Sequence, residues 1–126
     1  MNLEKIDYLT VEDLLEIAAG VLDDVVVRDA GLLAAAASRP LVTVFGADAY
    51  PTLGEKVAAL LHSLVRNHAL VDGNKRLAWA AARVFCILNG PDLTYSVDEA
   101  EALMLAAVEG SIDVPHLALW IRAHYR

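Results

Sequence analysis

Nine consecutive residues, His68-Ala69-Leu70-Val71-Asp72-Gly73-Asn74-Lys75-Arg76, hold most of the chemistry that this chain can offer. They lie between two long apolar segments and predict a turn that feeds a helix. At such a start, unpaired backbone N–H groups and the positive end of the helix dipole favour an anion. Gly73 lets the backbone approach a ligand closely, and Asn74 can sit at the cap. Lys75 as a point charge and Arg76 as a two-pronged donor place cations where phosphate oxygens would lie. Asp72 can hold a divalent metal bridging phosphates, since Mg²⁺ commonly takes one or two carboxylates plus substrate oxygens. His68 carries the one side chain whose ordinary pKa suits removal of a hydroxyl proton near neutral pH. Each residue alone has a plainer explanation: a His at a helix end, an Asp-Gly-Asn turn, a solvated Lys-Arg face. Together they carry a cost, because two cations in a first helical turn oppose the dipole. A bound anion would relieve it, which is the physical argument for a phosphoryl-handling site.

The segments around the turn are helical in pattern. Thr52 can cap a helix with apolar positions Leu53, Val57, Leu60, Leu61, Leu64 and Val65, ending at His68. The next starts near Asn74 and carries Leu77, Ala80, Ala81, Val84, Ile87 and Leu88 before Asn89-Gly90-Pro91 stops it. Upstream, Thr10-Val11-Glu12-Asp13 opens a helix to about residue 22, Val25–Val27 is an extended stretch, and Leu32–Ser38 is a short helix stopped by Pro40. Downstream, the capping box Ser96-Val97-Asp98-Glu99 opens a fifth helix, and Asp113 with Pro115 opens a sixth. Residues 41–50 alone have clear β propensity, two short arms around Gly46-Ala47-Asp48, and predict a loop or a small flap.

The 126 residues suffice for one domain, residues 1–126, with a core that needs no metal or disulfide. The chain is 57% hydrophobic and rich in short apolar side chains, which points to packed helices. No apolar run approaches the ~20 residues of a membrane span, and the polar N-terminus lacks a signal-peptide core, so no membrane partner and a cytoplasmic location are expected. The lone Cys86 lies among Val84, Phe85, Ile87 and Leu88 and is read as a buried hydrophobe. A net charge of −7 disfavours direct nucleic-acid binding. Arg66, Lys75, Arg76 and Arg83 nevertheless fall in one short region, a local positive site suited to a small phosphate-bearing ligand. His62, His116 and His124 are spaced so that local geometry does not bring three metal ligands together, and Trp120 and Tyr125 are read as packing residues.

The stretch 68–76 resembles the signature H-x-F-x-[D/E]-G-N-x-R of the Fic/Doc superfamily, in its Doc form with Lys before Arg. Tyr8-Leu9-Thr10, Arg28–Leu33, Arg39-Pro40, Val84-Phe85 and Asn89-Gly90 are also similar to Doc-like proteins. The resemblance implies an all-α bundle of about six helices with a short β-hairpin flap. It further implies a toxin of a bacterial type II toxin–antitoxin system: an enzyme using ATP and Mg²⁺ to phosphorylate a hydroxyl of elongation factor Tu, countered by a Phd-like antitoxin. Carried over by position, His68 is the catalytic base, Lys75 and Arg76 act on the phosphates, Gly73, Asn74, Lys75 and Arg76 bind nucleotide, and Asp72 holds the metal. Fic-type AMP transfer and a catalytically silent antitoxin-binding module are the alternatives. Two positions depart from the pattern. Leu70 stands in place of the usual Phe, and Trp79 in place of the second Arg of AMP-transferases, for which Arg83 offers either a partial substitute or a surface cation. The family's inhibitory motif [S/T]-x-x-x-E-[G/N] is absent, which implies regulation in trans.

Overall fold

The computed structural model describes residues 5–126; the first four residues of the polar N-terminus lie outside the described region. Six helices follow in order: α1 Val11–Val21, α2 Ala30–Ser38, α3 Leu53–Asn67, α4 Asn74–Leu88, α5 Val97–Glu109 and α6 Val114–Ala123. A 3₁₀ turn at Arg39–Leu41 absorbs Pro40, whose ring cannot continue α2. A two-stranded antiparallel hairpin, β1 Thr43–Val44 and β2 Ala47–Asp48, joins it to α3 in the register Thr43↔Asp48 and Val44↔Ala47. The expected helical fold with a small hairpin is therefore present. The hairpin turn differs from expectation: it is Phe45-Gly46, both at positive φ, and Ala47 and Asp48 belong to β2. Two central residues at positive φ match the twist of a tight hairpin, which Gly46-Ala47-Asp48 as a turn would not provide.

The α3 helix runs through the middle of the bundle, packing against α2, α4, α5 and α6. Its apolar residues occupy more than one face, so Val57, Leu60, Leu61 and Leu64 are all at most 1% exposed. Phe85 and Cys86 of α4 are fully buried against this core, where burial pushes the Cys86 thiol up to about 12 and leaves it inert. Truncating Phe85 to Ala would cost about 3–5 kcal/mol through lost transfer energy and the cavity left behind.

One buried charge breaks the apolar pattern of α3. Lys56 is 2% exposed; its Nζ reaches Asp48 of the hairpin at 3.1 Å and lies 5.6 Å from the Tyr8 ring centroid. A buried ammonium needs such partners, and the pair ties β2 to the core. The other end of the hairpin region is held by Arg39, which donates to Tyr50 Oη at 3.1 Å and Ser63 Oγ at 2.9 Å and lies 3.0 Å from His62 Nδ1. Facing a guanidinium, Nδ1 must accept, so His62 is neutral; burial first, then the Arg39 charge, lowers its pKa.

Candidate active site

The turn between α3 and α4 is built mainly by its own backbone. His68 closes α3 in the left-handed conformation, with φ 50° and ψ 51°. The chain then pairs with residues 26–29, in an antiparallel bridge between Leu70 and Val27. Arg28 and Asp29 N–H both donate to the Ala69 carbonyl, at 2.8 and 3.0 Å, and Val71 N–H donates to Val26 at 2.9 Å. This pairing uses the extended stretch predicted at Val25–Val27. Leu70 is 1% exposed and anchors the loop in the core, as expected of the residue standing for Phe. Arg28 adds a second clamp: its Nε donates to the His68 carbonyl at 2.7 Å and its Nη2 to the Asn67 carbonyl at 3.1 Å.

Gly73, at φ 87°, is the N-cap of α4, and no side chain caps this helix. A β-carbon at Gly73 would lie 2.5 Å from Leu22 Cδ2, so close packing and positive φ both call for glycine. Asn74 does not occupy the cap, contrary to expectation; it is the first helical residue. Its side chain turns back into the loop, where Oδ1 accepts from Leu70 N–H at 3.0 Å and Nδ2 donates to the Leu70 carbonyl at 2.9 Å. Leu70 is buried and its peptide groups need partners, which outweighs a cap that Gly73 geometry cannot use. Asp72 Oδ1 accepts from Gly73 N–H at 2.8 Å, while the residue stays exposed.

His68, Asp72, Gly73, Asn74, Lys75 and Arg76 all line one cleft of about 1240 Å³, a volume ample for a nucleotide. Its opposite walls are the 22–26 segment, with Leu22, Asp23 and Asp24, and α5, with Ala100, Glu101 and Met104. Four carboxylates, Asp23, Asp24, Asp72 and Glu101, thus share the cleft with Lys75 and Arg76. Arg76 Nη1 rests on the Val21 carbonyl at the end of α1 at 3.4 Å, a long contact that costs little to break.

The other two cations expected near the motif are elsewhere. Arg66 reaches the C-terminal end of α5, donating to the Val108 carbonyl at 3.0 Å. Arg83 forms a two-pronged pair with Asp92 at 2.9 and 3.0 Å, so it is a surface cation and does not substitute for the missing second Arg; the pair draws Asp92 down to about 2. Long side chains on neighbouring turns diverge, so closeness in sequence overstated the local positive charge. Trp79 lines the cleft one turn beyond Lys75 and packs on Tyr95, ring centroids 4.4 Å apart, with Trp120 5.6 Å behind it. Burial raises the Tyr95 pKa. The assignment of Trp120 and Tyr125 to packing agrees with both residues lying against the core.

Tyr95 and Glu101, which line the cleft, and Arg28, which holds the turn, carry no mark of these roles in the sequence. No local pattern marks the first two, because only tertiary packing brings α5 over the α4 start. Arg28 sits in a segment that resembles the family but offers no chemistry of its own.

Residues 8–86 match the Fic/DOC family. Over 117 residues the chain is 52% identical to Toxin Doc of Mycolicibacterium smegmatis (strain ATCC 700084 / mc(2)155), a match covering 89% of this chain and 88% of that protein. Together with the six-helix fold, the hairpin and the turn at 68–76, these matches establish that the chain belongs to the Fic/DOC family.

Proposed function

We propose that this chain is a Doc-type toxin that transfers the γ-phosphate of ATP to a hydroxyl side chain of a translation factor, elongation factor Tu by family resemblance, and so halts translation. The observation that carries the reading is an uncapped helix start bearing Lys75 and Arg76 in the same cleft as His68. Backbone N–H groups of the first turn of α4 receive phosphate oxygens, and Lys75 and Arg76 neutralise them. The His68 imidazole takes the proton of the target hydroxyl as its oxygen attacks the γ-phosphorus; ADP leaves and the phosphoester remains on the target. Positioning and charge stabilisation supply most of the rate. Lys75 stands where AMP-transferring relatives carry glycine, filling the space of an α-phosphate and favouring delivery of the terminal phosphate.

The donor set suits Mg²⁺ arriving with the nucleotide. Among the described residues no three His, Cys, Asp or Glu side chains converge as a metal site, so Asp72 would hold the ion jointly with phosphate oxygens. When bound, Mg²⁺ offsets the negative charge of the phosphates. That matters in a cleft whose four carboxylates outnumber its two cations.

A Phd-like antitoxin is the proposed partner, with a cytoplasmic bacterial location following from the translation target. Exposed Val71, Val97 and Leu105, which line the cleft, suit an apolar partner segment. Mass spectrometry of elongation factor Tu after incubation with the protein, ATP and Mg²⁺ tests the chemistry. Gain of one phosphate is expected. Gain of a whole nucleotide identifies AMP transfer, and growth arrest that survives both His68→Ala and Lys75→Ala identifies a silent binding module.

A further inference from the structure

The residue that ends α3 is an unusual choice for its backbone. Left-handed helix ends are ordinarily glycine, as at the end of α5, where Gly110 has φ 76°. At the end of α3 the same conformation falls on His68, whose β-carbon disfavours it. The last carbonyls of a helix also lack partners within it, and here those of Asn67 and His68 converge on one guanidinium.

We propose that Arg28 is the positioning residue for the base, fixing the His68 peptide so that the imidazole stands at the cleft. The inference rests on the role proposed above for His68. The two carbonyls bond different nitrogens of one planar fork, which fixes their relative orientation as well as neutralising the negative end of α3. Arg28 is itself immobilised, because its own N–H and that of Asp29 bond the Ala69 carbonyl. The His68–Ala69 peptide segment is thus gripped on consecutive carbonyls, by the Arg28 side chain and by the Arg28 main chain. With both held, the Cα–Cβ direction of His68 is set before any substrate arrives. Arg28 does not line the cleft, so it acts through His68 and touches no reacting atom. A lysine would keep the charge at the helix end yet lose the fork.

The test compares wild type, Arg28→Ala and Arg28→Lys in the full-length chain, with steady-state transfer from Mg-ATP to elongation factor Tu and NMR of His68. Removing the fork is expected to lower kcat about 10–100-fold, the size of effect that a slight misplacement of a reacting group produces. KM for Mg-ATP should stay within about twofold, because the phosphate cradle is untouched. Arg28→Lys should recover part of kcat. In Arg28→Ala the strong intraresidue HN–Hα NOE of a left-handed His68 should weaken. Unchanged kcat in folded Arg28→Ala overturns the proposal, as does a fall in kcat that merely tracks the unfolded fraction in both variants. If wild type transfers nothing, the functional reading fails. The NMR comparison then still decides the clamp: a left-handed His68 that persists without Arg28 overturns it.

Discussion

Helices α4 and α5 both begin at the edge of the cleft, but α5 opens on a reciprocal cap and α4 on bare backbone. Ser96 Oγ accepts from Glu99 N–H at 3.1 Å while Glu99 Oε1 accepts from Ser96 N–H at 2.8 Å, and Asp98 adds a second acid to the first turn. At α4 the cap is Gly73, no side chain accepts from the first turn, and the charges there are Lys75 and Arg76. The four other helices also carry side-chain caps, Thr10, Asp29, Thr52 and Asp113, and at α1 the cap is reciprocal as in α5. A cap contributes about 1 kcal/mol and a favourable charge about 0.3–1 kcal/mol, so α4 forgoes about 1–2 kcal/mol that its neighbours collect. The fold thus leaves one helix start without a side-chain cap, where an anion can supply the missing stabilisation.

Four substitutions test the difference between the two helix starts. The largest effect belongs to the chemistry served by the bare end: His68→Ala should lower transfer about 10²–10⁴-fold, with the circular dichroism spectrum unchanged because the residue is exposed. Asn74→Ala tests whether the α4 start survives without its loop clamp. It strands the buried peptide groups of Leu70 and should cost about 2–4 kcal/mol in urea denaturation; a loss below about 1 kcal/mol would show that water replaces both bonds. Ser96→Ala removes half of the α5 cap and should cost about 1 kcal/mol with little change in transfer. Lys75→Gln removes one of the two cations that oppose the α4 dipole without adding a fifth carboxylate to the cleft, and should raise stability by about 0.3–0.5 kcal/mol while weakening Mg-ATP binding by calorimetry. A destabilised Lys75→Gln protein would refute the account of the helix end.

The α5 cap has a pH-dependent extension. Its Glu99 also faces His124 Nε2 at 2.9 Å, and His124 Nδ1 faces the Trp120 carbonyl at 2.7 Å. Both neighbours are acceptors, so the ring is held as imidazolium; the Glu99 bond, then the Trp120 bond, raises its pKa. A raised folded-state value stabilises the native protein below the ordinary imidazole value of about 6.5, and the contribution fades as pH rises through the folded value. The stability difference between wild type and His124→Gln should therefore be greatest below about pH 6.5 and shrink as the pH rises above it in denaturation series. A gap that widens with pH would reverse the assignment.

Much of this was legible in the sequence because the signals are local. Thr10, Thr52, Ser96 and Asp113 each cap where their pattern predicted, and Pro40 and Gly90 stop helices within a residue or two of expectation. The 68–76 residues do meet at one cleft. What escaped depends on where long or ambivalent side chains go. Arg66 and Arg83 leave the motif for carbonyl and carboxylate partners that no spacing rule indicates. Asn74 had two uses, capping a helix or clamping a loop, and burial of Leu70 decided between them. Lys56 lies outside the apolar pattern of α3, and only the hairpin folding over it makes its burial tenable.

The two bonds between Asn74 and the Leu70 peptide have a kinetic consequence. They close a small ring around the turn, and the pairing with residues 26–29 locks that ring to the rest of the chain. The entropy of ordering the turn is therefore spent during folding and not at encounter. A nucleotide bound there as proposed would meet a preformed socket, so its association rate should follow ionic strength, through the field of the cleft, rather than wait on a loop to close.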